Sequence, residues 1–128
     1  MLKDCTVRAW VVAMPDGKLF HLANVPLTEI GRGAFSRLVA GEGVLLSFFE
    51  IGPGVHFPVH SHPNEQVMVV LEGSATFTIG ERGFEVKAGD VCVIPPNAAH
   101  GGPAGEKGVK GIDIFVPPRE DYLRKAAR

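Results

Sequence analysis

The sequence predicts an all-β domain that closes with a short C-terminal helix. Its 16 glycines and 10 prolines are scattered along 128 residues, and they separate short runs rich in valine, isoleucine and phenylalanine. Such punctuation is typical of many short strands joined by tight turns. Several runs are apolar at consecutive positions, which is the pattern of strands that are covered on both faces. We therefore expect a sandwich-like barrel whose outer face meets other elements or a second subunit.

Ten short runs are the predicted strands, and two turns between them predict hairpins. The turns are Glu72-Gly73 and GERG at 80–83, so we expect local, mostly antiparallel pairing. In PPREDYLRKAAR the prolines stand where a first helical turn tolerates them, acidic residues follow and basic residues end the segment, which predicts a helix over 118–127. In chain order the predicted strands are VRAWVVA, KLFHL, FSRLV, VLLSFFEI, HFPVHSH, QVMVVL, SATFTI, FEV, DVCVI and GIDIFV.

Composition limits the domain count and the classes of partner. A chain of 128 residues with 45% hydrophobic and 21% charged residues predicts one domain, 1–128, with a real core. The formal net charge of −1 gives no electrostatic footprint for nucleic acid or for an anionic membrane. The apolar run between Arg8 and Pro15 is too short for a signal-peptide core or a membrane span, so we expect a cytoplasmic protein.

Three histidines are the candidate metal ligands. His60 and His62 are two residues apart in a predicted strand, so their side chains point to the same side. In the next run Gln66 and Met68 share one face, and His100 follows the segment DVCVIPPNAA. Three imidazoles and an amide that converge inside a barrel would suit a divalent Zn, Ni, Mn, Fe or Cu. The alternative is a pair of structural histidines in an exposed strand.

The spacing around these residues resembles the paired motifs of the cupin family. From Gly54 the chain reads G-x5-H-x-H-x3-Q-x6-G and ends at Gly73, and from Gly89 it reads G-x5-P-x-N-x2-H and ends at His100. The resemblance covers about 43–116, with N-terminal strands at 1–40 before it. It implies a single cupin barrel, a jelly roll or double-stranded β-helix, whose metal is held by residues of both motifs. On it, all three histidines fall on ligand positions.

Two positions depart from the usual cupin motifs. Asn97 stands where the second motif usually has glycine, and asparagine best tolerates a left-handed backbone among the other residues. Gln66 stands where many cupins carry glutamate. The adjacent Glu65 is on the opposite face of the strand, so we expect the amide oxygen of Gln66 to be the fourth ligand unless a bulge rotates Glu65. Neutral ligands leave the charge of the metal uncompensated, which favours an anionic substrate.

The segment GIDIFVPPREDYL carries the candidate catalytic residues. Asp113 and Phe115 share strand parity and can face the cavity, and Arg119 can hold a carboxylate by two parallel N–H bonds. Spacing alone leaves another interpretation equally open, namely a strand-end aspartate and a surface arginine that pairs with Glu120. Met68 is expected to face the cavity as well, where its thioether packs against a substrate and donates nothing.

A narrower resemblance joins HSHPNEQ, the proline-rich second motif and D-x-F-x-P-x-R-E-D-Y. Together they look like the KdgF group of cupins, small enzymes of pectin and alginate breakdown. That likeness implies conversion of 4,5-unsaturated monouronates to the open-chain 5-keto-4-deoxyuronate. It implies His60, His62, Gln66 and His100 as metal ligands. It further implies an acid/base role for Asp113, substrate packing by Phe115 and carboxylate binding by Arg119.

Other functions stay open from the sequence. One is a different metal-dependent cupin enzyme, either a dioxygenase that uses open metal positions for O₂ or an isomerase. Another is a non-catalytic protein that senses or stores a small acid. The apolar run VRAWVVA and the outward-facing Val67, Val69 and Leu71 would form a patch too large for a free surface, so we expect a homodimer.

Overall fold

Strands make up most of the described chain, which comprises residues 6–7 and 10–128 of the computed structural model. One short helix follows them near the C-terminus, α1 (Glu120–Leu123), and a turn of 3₁₀-helix spans Leu22–Asn24. Among these residues no helix has the length and hydrophobicity that crossing a bilayer requires. In chain order the strands are β1 (Thr6–Val7), β2 (Val11–Met14), β3 (Gly17–Phe20), β4 (Leu27–Gly31), β5 (Ala34–Ala40), β6 (Leu45–Ile51), β7 (His56–His60), β8 (Glu65–Ile79), β9 (Arg82–Lys87), β10 (Val91–Ile94) and β11 (His100–Val116).

The strands form two sheets, and the larger one contains eight of them. β1, β2 and β3 make a small sheet, whereas the other eight strands form a sheet with the order β10-β8-β11-β6-β5-β4, in which β9 pairs with β8 and β7 with β11. Every strand pairing is antiparallel. β11 pairs with β7 and β8 along its first half and with β6 and β8 along its second half. It therefore has a strand on each side in both halves. The predicted all-β barrel is confirmed.

β8 is one continuous strand, so the hairpin predicted at Glu72-Gly73 is wrong. Gly73 has a φ of 76°, and the register between β8 and β11 shifts between Ala104 and Val109 at this level. A Cβ atom at Gly73 would lie 2.0 Å from the carbonyl oxygen of Gly108. The glycine therefore allows the two long strands to approach closely at a bulge, and it does not end the strand.

The second predicted hairpin is confirmed, whereas one strand and half of another have no counterpart among the predicted runs. β8 and β9 pair from Ser74↔Lys87 to Ile79↔Arg82 around the GERG turn. β4 and the first half of β11 were not predicted. The segment GGPAGEKGVK contains glycine, lysine and proline, which are poor strand formers. It is extended because β7 and β8 supply hydrogen-bond partners on its two sides.

The C-terminal helix is shorter than predicted. It spans Glu120–Leu123 instead of 118–127. Beyond it the chain turns to β5, where the Ala127 N–H donates to the Leu38 carbonyl at 2.9 Å and the Ala40 N–H donates to the Ala127 carbonyl at 3.0 Å. These tertiary hydrogen bonds replace the helical ones that a longer helix would form. The helix is therefore shorter than the pattern of charges predicts.

The barrel interior contains two apolar clusters and a buried polar group between them. One cluster is built around Phe49, Met68 and Val70, and the other around Leu38, Leu45, Phe115 and Tyr122. Burying each large apolar side chain contributes roughly 1.5–3 kcal/mol. Buried polar atoms cost stability unless they are paired. Within the described chain, four such side-chain atoms lack a partner, and three of them belong to the site described next: His60 Nε2, His100 Nε2 and Asp113 Oδ1.

Candidate functional site

The structure brings the three predicted histidines together at one end of the barrel. His60 is the last residue of β7, His62 lies in the following turn, and His100 opens β11 directly opposite His60. One ring nitrogen of each lies within 4.8 Å of the other two. Strand parity alone does not explain this arrangement, because β7 ends before His62. The turn that follows β7 carries the second imidazole to the site.

Backbone carbonyls fix the tautomer of each ring. Nδ1 of His60 lies 2.9 Å from the Pro58 carbonyl, and Nδ1 of His100 lies 2.8 Å from the Ala98 carbonyl. Nδ1 of His62 lies 3.2 Å from its own carbonyl partner, the backbone oxygen of Asn64. Since a carbonyl only accepts, each Nδ1–H donates and each Nε2 keeps its lone pair. Three Nε2 lone pairs are therefore available for a metal ion.

Burial keeps the rings neutral. It lowers the pKa of all three histidines, most strongly for His100, whose pKa falls to about 4. The carbonyl hydrogen bonds oppose this shift, and the nearby positive charge of Arg119 adds to it. Neutral imidazole is the form that binds metal. With two buried Nε2 atoms that have no partner in the described chain, the residues fit a divalent transition metal.

Gln66 lies beside the histidines, whereas Glu65 is exposed. The Gln66 side chain is buried, and its Oε1 is 3.0 Å from Nε2 of His62. His62 thus has an oxygen acceptor next to each ring nitrogen, but a neutral imidazole has one N–H. A cation between Nε2 and Oε1 would satisfy both atoms. No bulge interrupts β8 at this point in its pairing with β10, so Glu65 stays on the opposite face.

Asn97 supports the histidine turn. Its φ is 67°, so the predicted left-handed conformation is confirmed. In this conformation its N–H donates to the His62 carbonyl at 2.8 Å. The residue that replaces the usual glycine therefore joins the turn before His100 to the turn that carries His62.

Asp113 faces the same cavity from β11. It lies between Ser47 of β6 and Met68 of β8 in the pairing register, and both neighbours are buried. Its Oδ1 is buried and has no hydrogen-bond partner among the described residues. Burial raises the pKa of Asp113 to about 7, although the Gln66 amide and the Arg119 charge act to lower it. A carboxyl with this pKa can both give and take a proton near neutrality.

Phe115 and Arg119 complete the predicted set. The Phe115 ring is buried 5.4 Å from the His62 ring. The guanidinium of Arg119 lies 4.0 Å from the Tyr122 ring centroid and 5.6 Å from that of Phe115. It pairs with Asp121, not with Glu120, so the alternative interpretation named the wrong partner. Arg119 lines the cavity, and its side chain is 14% exposed.

The cavity has a polar end and apolar walls. It measures about 50 Å³, which accommodates a group the size of a carboxylate, so a larger acid would extend beyond it toward the solvent. Met68 contributes to the wall, as predicted. The polar lining residues are His60, Gln66, His100, Asp113, Arg119 and Tyr122, and the apolar ones include Phe49, Ile51, Phe57, Ala75, Phe77 and Val109.

Three residues near the site were not singled out in the sequence. Tyr122 packs edge to face against Phe115 with ring centroids 5.6 Å apart, the Asn64 carbonyl accepts from the His62 ring, and Asp121 pairs with Arg119. The available signals were weak. Tyr122 is the one tyrosine of the chain, and Asn64 lies between two candidate ligands. Their contacts depend on tertiary placement that spacing does not show.

Comparison with known proteins agrees with this geometry. Dimethylsulfoniopropionate lyase DddW of Ruegeria pomeroyi is 35% identical over 97 residues, which cover 68% of this chain and 64% of the lyase. The chain spans about half to two thirds of the length of the curated relatives that it matches. An RmlC-like cupin from Shewanella frigidimarina has a TM-score of 0.73 at 27% identity, covering 78% of this chain and 90% of that one. KdgF from Halomonas sp. has a TM-score of 0.71, covering 77% and 91%, and at 24% identity this likeness bears on the fold alone.

The family assignment follows from the sequence motifs, the barrel and the match to a family description. Residues 47–115, more than half of the chain, match the cupin domain. This range contains all three histidines, Gln66 and Asp113. The all-β barrel that surrounds them has a solved RmlC-like cupin among its structural neighbours. The chain therefore belongs to the cupin family.

Proposed function

We propose that this protein is a metal-dependent enzyme that moves a proton on a small carboxylic acid, and that its substrate is a 4,5-unsaturated monouronate. The product would be the open-chain 5-keto-4-deoxyuronate. One observation carries the proposal: a single cavity is lined by imidazoles with available Nε2 atoms, a buried carboxyl with an unpaired oxygen, and an arginine. These are the groups that binding and ketonising an unsaturated acid require.

His60, His62, His100 and Gln66 would hold the metal. When bound, a divalent Zn, Ni, Mn, Fe or Cu ion supplies Lewis acidity toward the substrate oxygens. All four side chains are neutral, so they do not cancel the charge of the ion. The site would consequently attract an anion, which supports a carboxylate substrate.

Asp113 would transfer the proton. Ring opening breaks the bond between C1 and the ring oxygen, and the proton of the C1 hydroxyl moves to that oxygen, which gives an aldehyde at C1 and an enol at C5. In ketonisation the hydrogen of this enol hydroxyl is then lost and a hydrogen is gained at C4, so one carboxyl that alternates between its two forms balances the step. Asp113 faces the cavity, and its buried Oδ1 has no hydrogen-bond partner among the described residues, which supports this role. Removing such a group typically costs about 10²–10⁴-fold in rate.

Arg119, Phe115 and Met68 would bind the substrate. An arginine has five N–H donors, of which two bond to Asp121, so three remain for a substrate carboxylate. Phe115 packs under the guanidinium, and Met68 contributes apolar surface. The chain offers few hydrogen-bond partners for sugar hydroxyls on the inner wall, so the carboxylate end would provide most of the polar recognition.

A second candidate is a lyase acting on a small acid. The apolar wall of the cavity and the 35% identity to a dimethylsulfoniopropionate lyase favour it. In an elimination, Asp113 would take a proton from the carbon next to the carboxylate while the leaving group departs from the neighbouring carbon with its bonding electrons. The same histidines and the same arginine would serve both reactions.

A substrate panel distinguishes these functions. Metal-loaded protein would be assayed with unsaturated monouronates and with dimethylsulfoniopropionate, in the presence and absence of a chelator and with O₂ monitored. We expect chelator-sensitive loss of the uronate double bond, and a decrease of about 10²–10⁴-fold in the Asp113→Asn variant at unchanged metal content. Turnover of the sulfonium acid alone would favour the lyase. O₂ consumption would mark a dioxygenase, and binding without turnover a small-acid binder.

A further inference from the structure

Asp121 stands behind the proposed carboxylate-binding arginine and not in the cavity. It accepts two hydrogen bonds from Arg119, from Nε to Oδ1 at 2.8 Å and from Nη2 to Oδ2 at 3.0 Å. The Arg119 side chain is 14% exposed and that of Asp121 is 53% exposed. The carboxylate is thus on the solvent side and the guanidinium on the protein side of the pair.

We propose that Asp121 is a positioning residue, which fixes the plane of the Arg119 guanidinium so that its other edge receives the substrate carboxylate. The inference rests on the proposed function in requiring a carboxylate ligand. A bidentate pair occupies the Nε–Nη2 edge, which leaves the Nη1–Nη2 edge with the same fork geometry. Since Arg119 lines the cavity, this second edge is the one available to a ligand.

Two aromatic rings support the same plane. The guanidinium carbon of Arg119 lies 4.0 Å from the Tyr122 ring centroid, within the range of a cation–π contact, and 5.6 Å from that of Phe115. These rings are in turn packed edge to face with centroids 5.6 Å apart. Asp121 restricts rotation of the guanidinium within its plane, and the rings restrict its tilt. The arginine is therefore held in one orientation before any ligand arrives.

A buried asparagine fixes this arginine relative to the histidines. The Asn64 side-chain Nδ2 donates to the Pro117 carbonyl at 2.7 Å, two residues before Arg119. The Asn64 backbone carbonyl accepts from Nδ1 of His62. One residue thus joins the turn that carries a candidate metal ligand to the segment that carries the arginine. The orientation set by Asp121 is therefore defined relative to the whole site.

The competing interpretation is that Asp121 only stabilises the start of α1. An acidic side chain in the first turn does so through the helix dipole, and Glu120 occupies the same turn. Glu120 is exposed, and among the described residues it has no ion pair with Arg119. It is therefore the matched control, because a helix-dipole effect would appear in both variants and a positioning effect in one.

The experiment compares wild type with Asp121→Asn, Asp121→Glu and Glu120→Gln, all metal-loaded. Calorimetric binding of galacturonate measures carboxylate affinity without turnover, and NMR of the Arg119 Nε–H measures its exchange with water. We expect Asp121→Asn to bind the acid about tenfold more weakly, with faster exchange at Nε. The KM of this variant for the unsaturated uronate should rise, whereas its kcat should stay within about twofold of the wild-type value. Asp121→Glu should recover part of the affinity, and Glu120→Gln should match wild type.

The outcomes separate this inference from the proposed function. Equal galacturonate affinity in Asp121→Asn and wild type would overturn the positioning role, as would equal weakening in Glu120→Gln. If wild type binds the acid but turns over no uronate, the proposed function fails, and weaker binding by Asp121→Asn still supports the positioning role. If wild type binds no carboxylate at all, both are overturned.

Discussion

Backbone carbonyls determine which ring nitrogen of each histidine carries the proton. Each of the three histidines donates its Nδ1–H to a carbonyl within two residues along the chain. Local backbone geometry therefore decides the tautomer before any metal binds. The consequence is that a single histidine can be removed without releasing the other two rings from their hydrogen bonds.

We predict that His62→Ala loses most of its metal. Removal of a direct ligand should weaken binding by more than the roughly 10–100-fold that loss of an outer partner costs. His56→Ala is the control, because His56 is an exposed residue on β7 outside the cluster. Elemental analysis after dialysis against a weak chelator measures both variants. Full metal content in His62→Ala would remove this residue from the ligand set.

Asp113 should make the metal-free protein less stable as pH rises toward neutrality. Its pKa is about 7 in the fold against 3.8 for the ordinary carboxyl, so the folded state binds this proton more tightly than the unfolded state. The contribution of Asp113 to the free energy of unfolding therefore falls between about pH 4 and pH 7. The histidines act with the opposite sign, because burial lowers their pKa and the stability they contribute rises with pH.

Asp113→Asn isolates the first effect, since the histidines are the same in both proteins. The measured quantity is the free energy of unfolding of the variant minus that of wild type. Between pH 4 and pH 7 this difference should increase by on the order of a few kcal/mol. It should stay constant above that pH. Urea unfolding of the metal-free proteins across this range measures it. A difference that does not vary with pH would show that the carboxyl titrates in the same way in the folded and unfolded states.

Residue types and spacing predicted the site better than they predicted its supports. His60, His100, Asp113, Phe115 and Arg119 line one cavity, and His62 is grouped with the other two histidines beside it. Asn64 was not predicted, because its contact with Pro117 spans 53 residues of chain. The alternative interpretation pairs Arg119 with Glu120 and the structure pairs it with Asp121, because sequence distance does not show which of two neighbouring carboxylates faces the guanidinium.

At the scale of elements, glycine had two meanings that sequence cannot distinguish. Gly80 turns a hairpin, whereas Gly73 lies within β8 where β11 crosses closely. Both have positive φ, and only the surroundings differ. The C-terminal helix illustrates the same point, because its charge pattern is helical but pairing of Ala127 with β5 ends it early. Most other strand positions were predicted, since they follow from short apolar runs between turn residues.

We predict that Gly73→Ala destabilises the fold more than Gly80→Ala. At Gly80 the φ is 59° and an added Cβ meets nothing within 4 Å, so the cost is the roughly 1–2 kcal/mol of a left-handed backbone. At Gly73 the same cost is joined by a Cβ placed 2.0 Å from a carbonyl oxygen, which the strands relieve by moving apart. Urea denaturation of both variants gives the comparison. Equal losses would mean that the bulge adapts freely.

At the scale of the whole molecule, one face of the large sheet is apolar and uncovered within the described chain. Val91 and Val93 on β10 are 61% and 58% exposed. They lie beside Val67 and Val69 of β8, whose other neighbour, β11, contributes Ile112 and Ile114 to the same face. A continuous apolar face over three strands is unusual on a monomer. We propose that a second copy covers it, because a two-fold axis can lay such a face against itself.

Val93→Asp should convert the dimer to a monomer. A carboxylate on this face would be buried without a partner in the assembled state, which is costly. Val59→Asp is the control, since Val59 is equally exposed, at 58%, on β7 outside this face. Light scattering at micromolar concentration measures the mass of each. A monomeric wild type would contradict the proposed assembly.

β11 sets the distance between a candidate metal ligand and the candidate proton-transfer residue. It begins at His100 and carries Asp113 near its end, with a register shift between Ala104 and Val109. Side chains alternate faces along a strand, so one residue added between Gly111 and Asp113 would turn the carboxyl away from the cavity. One residue added within 105–108 can instead be absorbed by the shift. The bulge is thus the place where the chain can change length while the histidines and the carboxyl keep their separation.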